Sequence, residues 1–122
     1  MEVLSDRVDR KRVLFETYVK SLSGLTFQPE PIGARSNRWL TTVLFPNTEI
    51  RERVREALLA ERIESRPLWK PMHLQPVFQS AQVYGGQVSA NLFGLGLCLP
   101  SGTAMNSAVQ AEIIEIICDV IN

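Results

Sequence analysis

The chain has 122 residues, with 13 Lys and Arg balanced by 13 Asp and Glu, which suits one domain burying roughly two-thirds of its unfolded surface in a single core. Its arginines are interleaved with acids in the first half and no Lys or Arg follows Lys70, a distribution of solvated helix faces that excludes a phosphate-backbone track and hence nucleic acid. No apolar run reaches membrane-spanning length, and Met1-Glu2-Val3-Leu4-Ser5-Asp6 lacks the basic region and apolar core of a signal peptide, so a cytoplasmic protein with no membrane partner is expected.

Ser5 is placed to cap a first helix whose opening turn holds Asp6 and Asp9, where acids suit the positive end of the helix dipole. Val8, Phe15, Val19 and Leu22 form its apolar stripe with Leu14 and Tyr18 beside them, Arg10, Lys11, Glu16 and Lys20 lie off it, and Gly24 stops it. Gln28 to Gly33 is a proline-punctuated connector. Arg38 to Phe45 reads as a strand stopped by Pro46. Asn47 or Thr48 then caps a helix to about Arg62, with Ile50, Val54, Ala57 and Leu58 facing inward and Glu49 paired with Arg53.

Ile63 to Arg66 is a short strand expected to pair with the Trp39 strand. Gln87 to Phe93 suits a short helix, and Leu97-Cys98-Leu99 a third strand ended by Pro100-Ser101-Gly102. Ser107 with Gln110 has the form of a capping box opening the last helix. That helix buries Val109, Ile113, Ile116, Ile117, Val120 and Ile121, and exposes Glu112, Glu115 and Asp119. Short strands between helices predict an α+β fold, a small antiparallel three-stranded sheet packed with helices. Cys98 and Cys118 stand in neither a CxxC nor a zinc spacing, so both read as reduced core residues, with a reactive Cys98 the weaker alternative and no metal site expected.

Between Ile63 and Phe78 the prolines at 67, 71 and 76 deny the chain a continuous helix or a central strand. A fixed, extended loop is expected, carrying Arg66, Trp69, Lys70, Met72, the single His73 and Phe78. This stretch, followed by Phe93-Gly94-Leu95-Gly96-Leu97-Cys98-Leu99-Pro100-Ser101-Gly102-Thr103, resembles the C-terminal part of pyridoxal-phosphate-dependent sugar aminotransferases of the DegT/StrS family. The resemblance extends more weakly to Ser36-Asn37-Arg38-Trp39-Leu40-Thr41 and the opening helix, and it departs at Asn91, where the family commonly has a glutamate. It implies that residues 1–122 are a single C-terminal small domain of a fold-type I aminotransferase, with the catalytic large domain outside this chain. Met1 would then lie inside an element continuing from that domain. It further implies a homodimeric parent acting on a nucleotide-linked keto-sugar, in amino-sugar or surface-polysaccharide biosynthesis, with this domain helping to close the active site.

A transaminase needs a lysine amine to hold the cofactor and a carboxylate to keep the pyridine nitrogen charged. The lysines are Lys11, Lys20 and Lys70, none in a cofactor-lysine context. The resemblance places the Schiff-base lysine in the large domain, so the isolated chain is expected to bind no pyridoxal phosphate and to be inactive. A substrate wall remains: Arg66 gripping a carboxylate or phosphate, Trp69 against a sugar or nucleotide ring, Lys70 as a point charge and His73 bonding a hydroxyl or carboxylate. Each has a structural alternative: Arg66 on a neighbouring carboxylate, Trp69 as a core anchor, Lys70 solvated and His73 a satisfied loop residue. Trp39, Phe45, Phe78 and Phe93 read as core, and the 100–103 turn needs no ligand to explain it. The rival to the aminotransferase domain is a free-standing α+β interaction module that has kept the fold without the chemistry.

Overall fold

A computed structural model describes residues 3–122; the expectation about Met1 lies outside them. The order is α1 (Leu4–Ser21), β1 (Thr26–Phe27), β2 (Thr41–Leu44), α2 (Thr48–Ala60), β3 (Arg66–Pro67), α3 (Gln87–Leu95), β4 (Gly96–Leu99) and α4 (Ser107–Ile121). Thr41 and Val43 of β2 are buried while Thr42 and Leu44 are half-buried, the period-two signature of a strand with one face on a core. Val43 pairs with Leu97 and Thr41 with Leu99 of β4. Val54 and Leu58 of α2 and Ile113 and Ile117 of α4 join Val43, Leu97, Leu99, Tyr18, Leu22 and Phe45 in one core, and α2 packs along α4 and on β4.

The α+β architecture is as expected, but the antiparallel sheet has four strands, in the order β1-β2-β4-β3. The additional β1 is only two residues long, too short for any alternation to be read. The expected strand over 38–45 shrinks to 41–44 because Arg38 takes a left-handed φ of 48°. The strand expected at 63–66 falls on Arg66–Pro67 and pairs with β4, not with the Trp39 strand. Its place at the sheet edge lets Pro67 belong to it without removing a needed donor.

Cap chemistry bears out Asn47 as the cap of α2 and accounts for further shifts elsewhere. Asn47 Oδ1 accepts from the Ile50 amide at 2.8 Å, and Asn106 Oδ1 from Val109 at 2.9 Å. The last helix is thus capped one residue before Ser107, and Gln110 turns inward to donate to the Leu14 carbonyl at 2.8 Å instead of completing a capping box. In α1 the N-cap is Val3 rather than Ser5, and Val19 is 37% exposed, so the buried stripe runs through Leu14, Phe15, Tyr18 and Leu22. Val109 likewise stays 40% exposed. The expected Glu49–Arg53 pair is replaced by Glu52, which takes Arg51 and Arg55.

α2 ends at Ala60, short of Arg62, in a Schellman turn: the Ile63 amide donates to Leu58 O at 2.8 Å and the Arg62 amide to Leu59 O at 2.9 Å. Arg62 must hold φ 61° there, a region costing an L-residue about 1–2 kcal/mol. Arg62→Gly is therefore expected to raise stability by up to about 1 kcal/mol, read as a higher urea midpoint at unchanged slope.

Candidate functional site

The Ser36-Asn37 pair folds the chain back on itself: Ser36 Oγ accepts from the Arg38 amide and Asn37 Oδ1 from the Trp39 amide, both at 3.1 Å. Such side chains offer the backbone a local turn in place of a ladder. Arg38 consequently points inward, its guanidinium 3.8 Å from the centre of the Phe15 ring and donating to Gln28 O at 3.0 Å. Trp39 points outward and is 67% exposed.

Arg12 of α1 grips Glu30 with both Nη atoms at 2.8 and 2.9 Å and also reaches Ser36 O at 2.7 Å. The Ser36 amide closes on the same carboxylate, and Arg38 Nη2 lies 3.7 Å from it. The Arg12 fork, then the Ser36 amide, hold the Glu30 carboxyl down at about 2. This network fastens residues 28–38 to α1.

Across from Trp39, the first turn of the proline loop presents Trp69, also 67% exposed. The two rings stand 6.4 Å apart, tilted by 43°. They border a hollow of about 470 Å³ whose wall includes Lys11, Arg66, Glu64, Cys98 and the Pro100–Gly102 turn. Lys11 Nζ donates to the Trp39 carbonyl at 2.8 Å, and partial burial lowers its pKa. Arg66 donates through Nε to Glu64 at 2.8 Å, both side chains well exposed. Burial pushes the Cys98 thiol up, opposed by the nearby Arg66 charge, which leaves it a thiol rather than a nucleophilic thiolate. A larger groove of about 670 Å³ between α1 and α4 has Val13, Leu14, Met105 and Ile114 in its wall with Asp9, Arg10 and Glu115, but no aromatic ring.

Of the residues the sequence singled out, the structure brings Arg66 and Trp69 together at this hollow. Arg66 does hold a neighbouring carboxylate, but on an exposed arm free to swing; Trp69 is not a core anchor. Lys70 is exposed and outside the hollow, with its carbonyl accepting from Gln75 Nε2 at 3.2 Å. His73 lies half-buried after Pro71, where the loop tightens into two short 3-10 turns, Met72–Leu74 and Pro76–Phe78, rather than staying extended. Its ring sits in a separate small hollow with Phe78 and Tyr84.

Trp39 was expected in the core with Phe45; Phe45 is there at 2% exposure, and Trp39 is not. Phe78 and Phe93 are half-buried. The signal for Trp39 was the Ser36-Asn37 pair just ahead of Arg38, whose turn leaves Arg38 inward and Trp39 outward, out of step with the inward Thr41 and Val43. Lys11 gave no such signal, since a lysine on a polar helix face is the common case.

The residues present do not fit pyridoxal phosphate. Lys11 is committed to a backbone carbonyl, Lys20 and Lys70 are exposed, and the one carboxylate of the hollow, Glu64, is held by Arg66. Among the described residues no helix is long and apolar enough to cross a membrane, and no group of three His, Cys, Asp or Glu is placed to hold a metal.

EpsN of Bacillus subtilis (strain 168), whose name assigns it to the pyridoxal phosphate-dependent aminotransferases, is 41% identical across 96% of this chain and 32% of its own length. GDP-perosamine synthase of Escherichia coli O157:H7 is 28% identical across 100% of this chain and 32% of its own. A DegT DnrJ EryC1 StrS aminotransferase from Brucella abortus superposes with a TM-score of 0.83 at 27% identity, covering 97% of this chain and 32% of that one. The chain thus spans about a third of the length of the relatives it matches. The sequence profile of the DegT/DnrJ/EryC1/StrS aminotransferase family matches residues 1–118, and the chain belongs to that family.

Proposed function

We propose that this chain is the C-terminal small domain of a pyridoxal-phosphate-dependent aminotransferase that acts on a nucleotide-linked keto-sugar, in the cytoplasm, as part of amino-sugar or surface-polysaccharide synthesis. Its partners are its own large domain and a second protomer, and its task is to wall and close the substrate site. The cofactor, held by the large domain, supplies the electron sink for amino transfer.

The hollow between Trp39 and Trp69 carries this reading. Two exposed indoles lie side by side at the edge of this hollow, an apolar rim on which a ligand ring can stack, and the Arg66 guanidinium in the same wall can meet an anionic group. Trp69 offers its face to a sugar or base. Arg66 can leave Glu64 and take a carboxylate or phosphate in the same fork geometry. Closing the rings over a ligand removes water from around that ion pair, which strengthens it.

In the full-length enzyme, Trp69→Ala and Arg66→Gln are expected to weaken the keto-sugar half-reaction. For Arg66→Gln, losing a charge-assisted hydrogen bond is worth about 1.5–3 kcal/mol, roughly tenfold to a hundredfold in kcat/KM for the keto-sugar. The amino-donor half-reaction, the cofactor spectrum and the melting temperature should hold, because both side chains lie outside this domain's core. Lys70→Ala and His73→Ala serve as comparators. Losses confined to those two would move the substrate surface to the far end of the loop, and no kinetic change in any of the four would remove substrate binding from this domain.

A further inference from the structure

The hollow depends on a tryptophan that the core does not hold. Trp39 is pinned only through its backbone, its amide to Asn37 Oδ1 at 3.1 Å and its carbonyl to Lys11 Nζ at 2.8 Å. The residue before it is the reverse case: Arg38 is 8% exposed, with a left-handed φ of 48°. Outside helix caps such as that at Arg62, left-handed backbone at a bulky residue persists where its surroundings over-determine it, and such places cluster at ligand-facing sites. Here the surroundings are explicit. Phe15 lies under the guanidinium, Gln28 O accepts from Nη1, and Glu30, already fixed by Arg12, faces Nη2.

An inward Arg38 and an outward Trp39 are two consequences of one backbone turn, so what holds the first aims the second. We infer that Arg38 is a positioning residue: locked by Phe15, Gln28 and Glu30, it fixes the chain direction that sets Trp39 opposite Trp69. A side chain at 38 that can neither sit over Phe15 as a cation nor reach Gln28 O and Glu30 leaves the turn free to relax towards ordinary strand geometry, which would swing the indole out of the hollow. Segment 28–40 is then more than a staple on α1; it is the mount of one wall of the site.

The test uses this chain as it is. Indoles 6.4 Å apart couple, so their near-ultraviolet circular dichroism should carry a signal that Trp39→Phe and Trp69→Phe each abolish. Arg38→Met is expected to lose that signal well below its own melting temperature, with far-ultraviolet dichroism unchanged. Arg38→Lys keeps a cation over Phe15 and should restore part of it. If Arg38→Met fails to fold, Glu30→Gln loosens the same lock at constant shape and should halve the signal or more. A coupled signal of wild-type size per folded molecule in Arg38→Met, or in Glu30→Gln where that variant stands in, would overturn the inference and leave Arg38 a structural brace.

A second arm, resting on the proposed role of the hollow, follows UDP and GDP by quenching of indole emission, with Arg38→Met expected to bind at least tenfold more weakly. Wild-type chain that binds neither nucleotide would count against the substrate reading alone, since the dichroism signal decides the positioning role without a ligand.

Discussion

Replacing Tyr18 by alanine is expected to cost about 3–5 kcal/mol, a large part of the about 5–15 kcal/mol that holds a domain together. Tyr18 is 0% exposed and sits where α1 meets the core of α2, α4 and the sheet. Its hydroxyl donates to the Pro100 carbonyl at 2.8 Å, and burial pushes the phenol far above its ordinary pKa, so it stays a neutral donor. Tyr18→Phe separates the two contributions. The ring remains, but the Pro100 carbonyl loses its donor, which is worth about 1–3 kcal/mol. Because Pro100 also walls the hollow, the Phe variant should weaken ligand binding as well as stability. Urea unfolding of both variants measures the effect, and a Phe midpoint equal to wild type would mean that water replaces the hydroxyl.

Gly96→Ala is the second large effect, at about 2–3 kcal/mol of destabilisation. The reason is space, since Gly96 has an ordinary extended φ of −95°. A methyl group there would lie 2.6 Å from the Leu92 carbonyl, a backbone atom that cannot yield, and inside the Leu68 side chain. Leu68 also donates its amide to Gly96 O at 3.3 Å, so moving it aside strips the edge of the sheet. Gly94→Ala, two residues earlier and within α3, is the control. Its added methyl meets only Thr48 Oγ1 at an ordinary 3.6 Å, and helix propensity favours it by about 0.5–1 kcal/mol. Midpoints moving in opposite directions are the expected result, and a shared direction would show that α3 and β4 shift together.

Element types were legible wherever a run was long and periodic: α2, α4 and the pair β2 and β4 all follow from their apolar spacing. What was not legible came from short pieces and from side chains that bond to the backbone. Two residues at 26–27 hold no pattern, and Asn106, unlike the expected cap Asn47, shows its capping role only in three dimensions. The site divides in the same way. Arg66 and Trp69 stood out because they stand on either side of Pro67 at the start of a proline-interrupted stretch, whereas Trp39 was hidden by its resemblance to a strand residue and Lys11 by its place on a polar helix face. The Ser36-Asn37 turn decides the first; only the approach of α1 to the Trp39 carbonyl decides the second.

The strand order also constrains how the chain reaches its fold. β1 and β3 have two residues each and join the sheet only through β2 and β4 respectively, so neither can recruit the other. The β2–β4 ladder must form first, and it closes the whole span from Thr41 to Leu99, with three prolines of the 63–78 loop inside it. Loop closure on that scale is entropic and unrewarded until the ladder zips. Refolding is therefore expected in milliseconds or slower rather than microseconds, with α2 and α4 able to form ahead of the sheet. Until β4 docks, Trp39 and Trp69 belong to separate, unacquainted segments, so the hollow is among the last features of the molecule to exist.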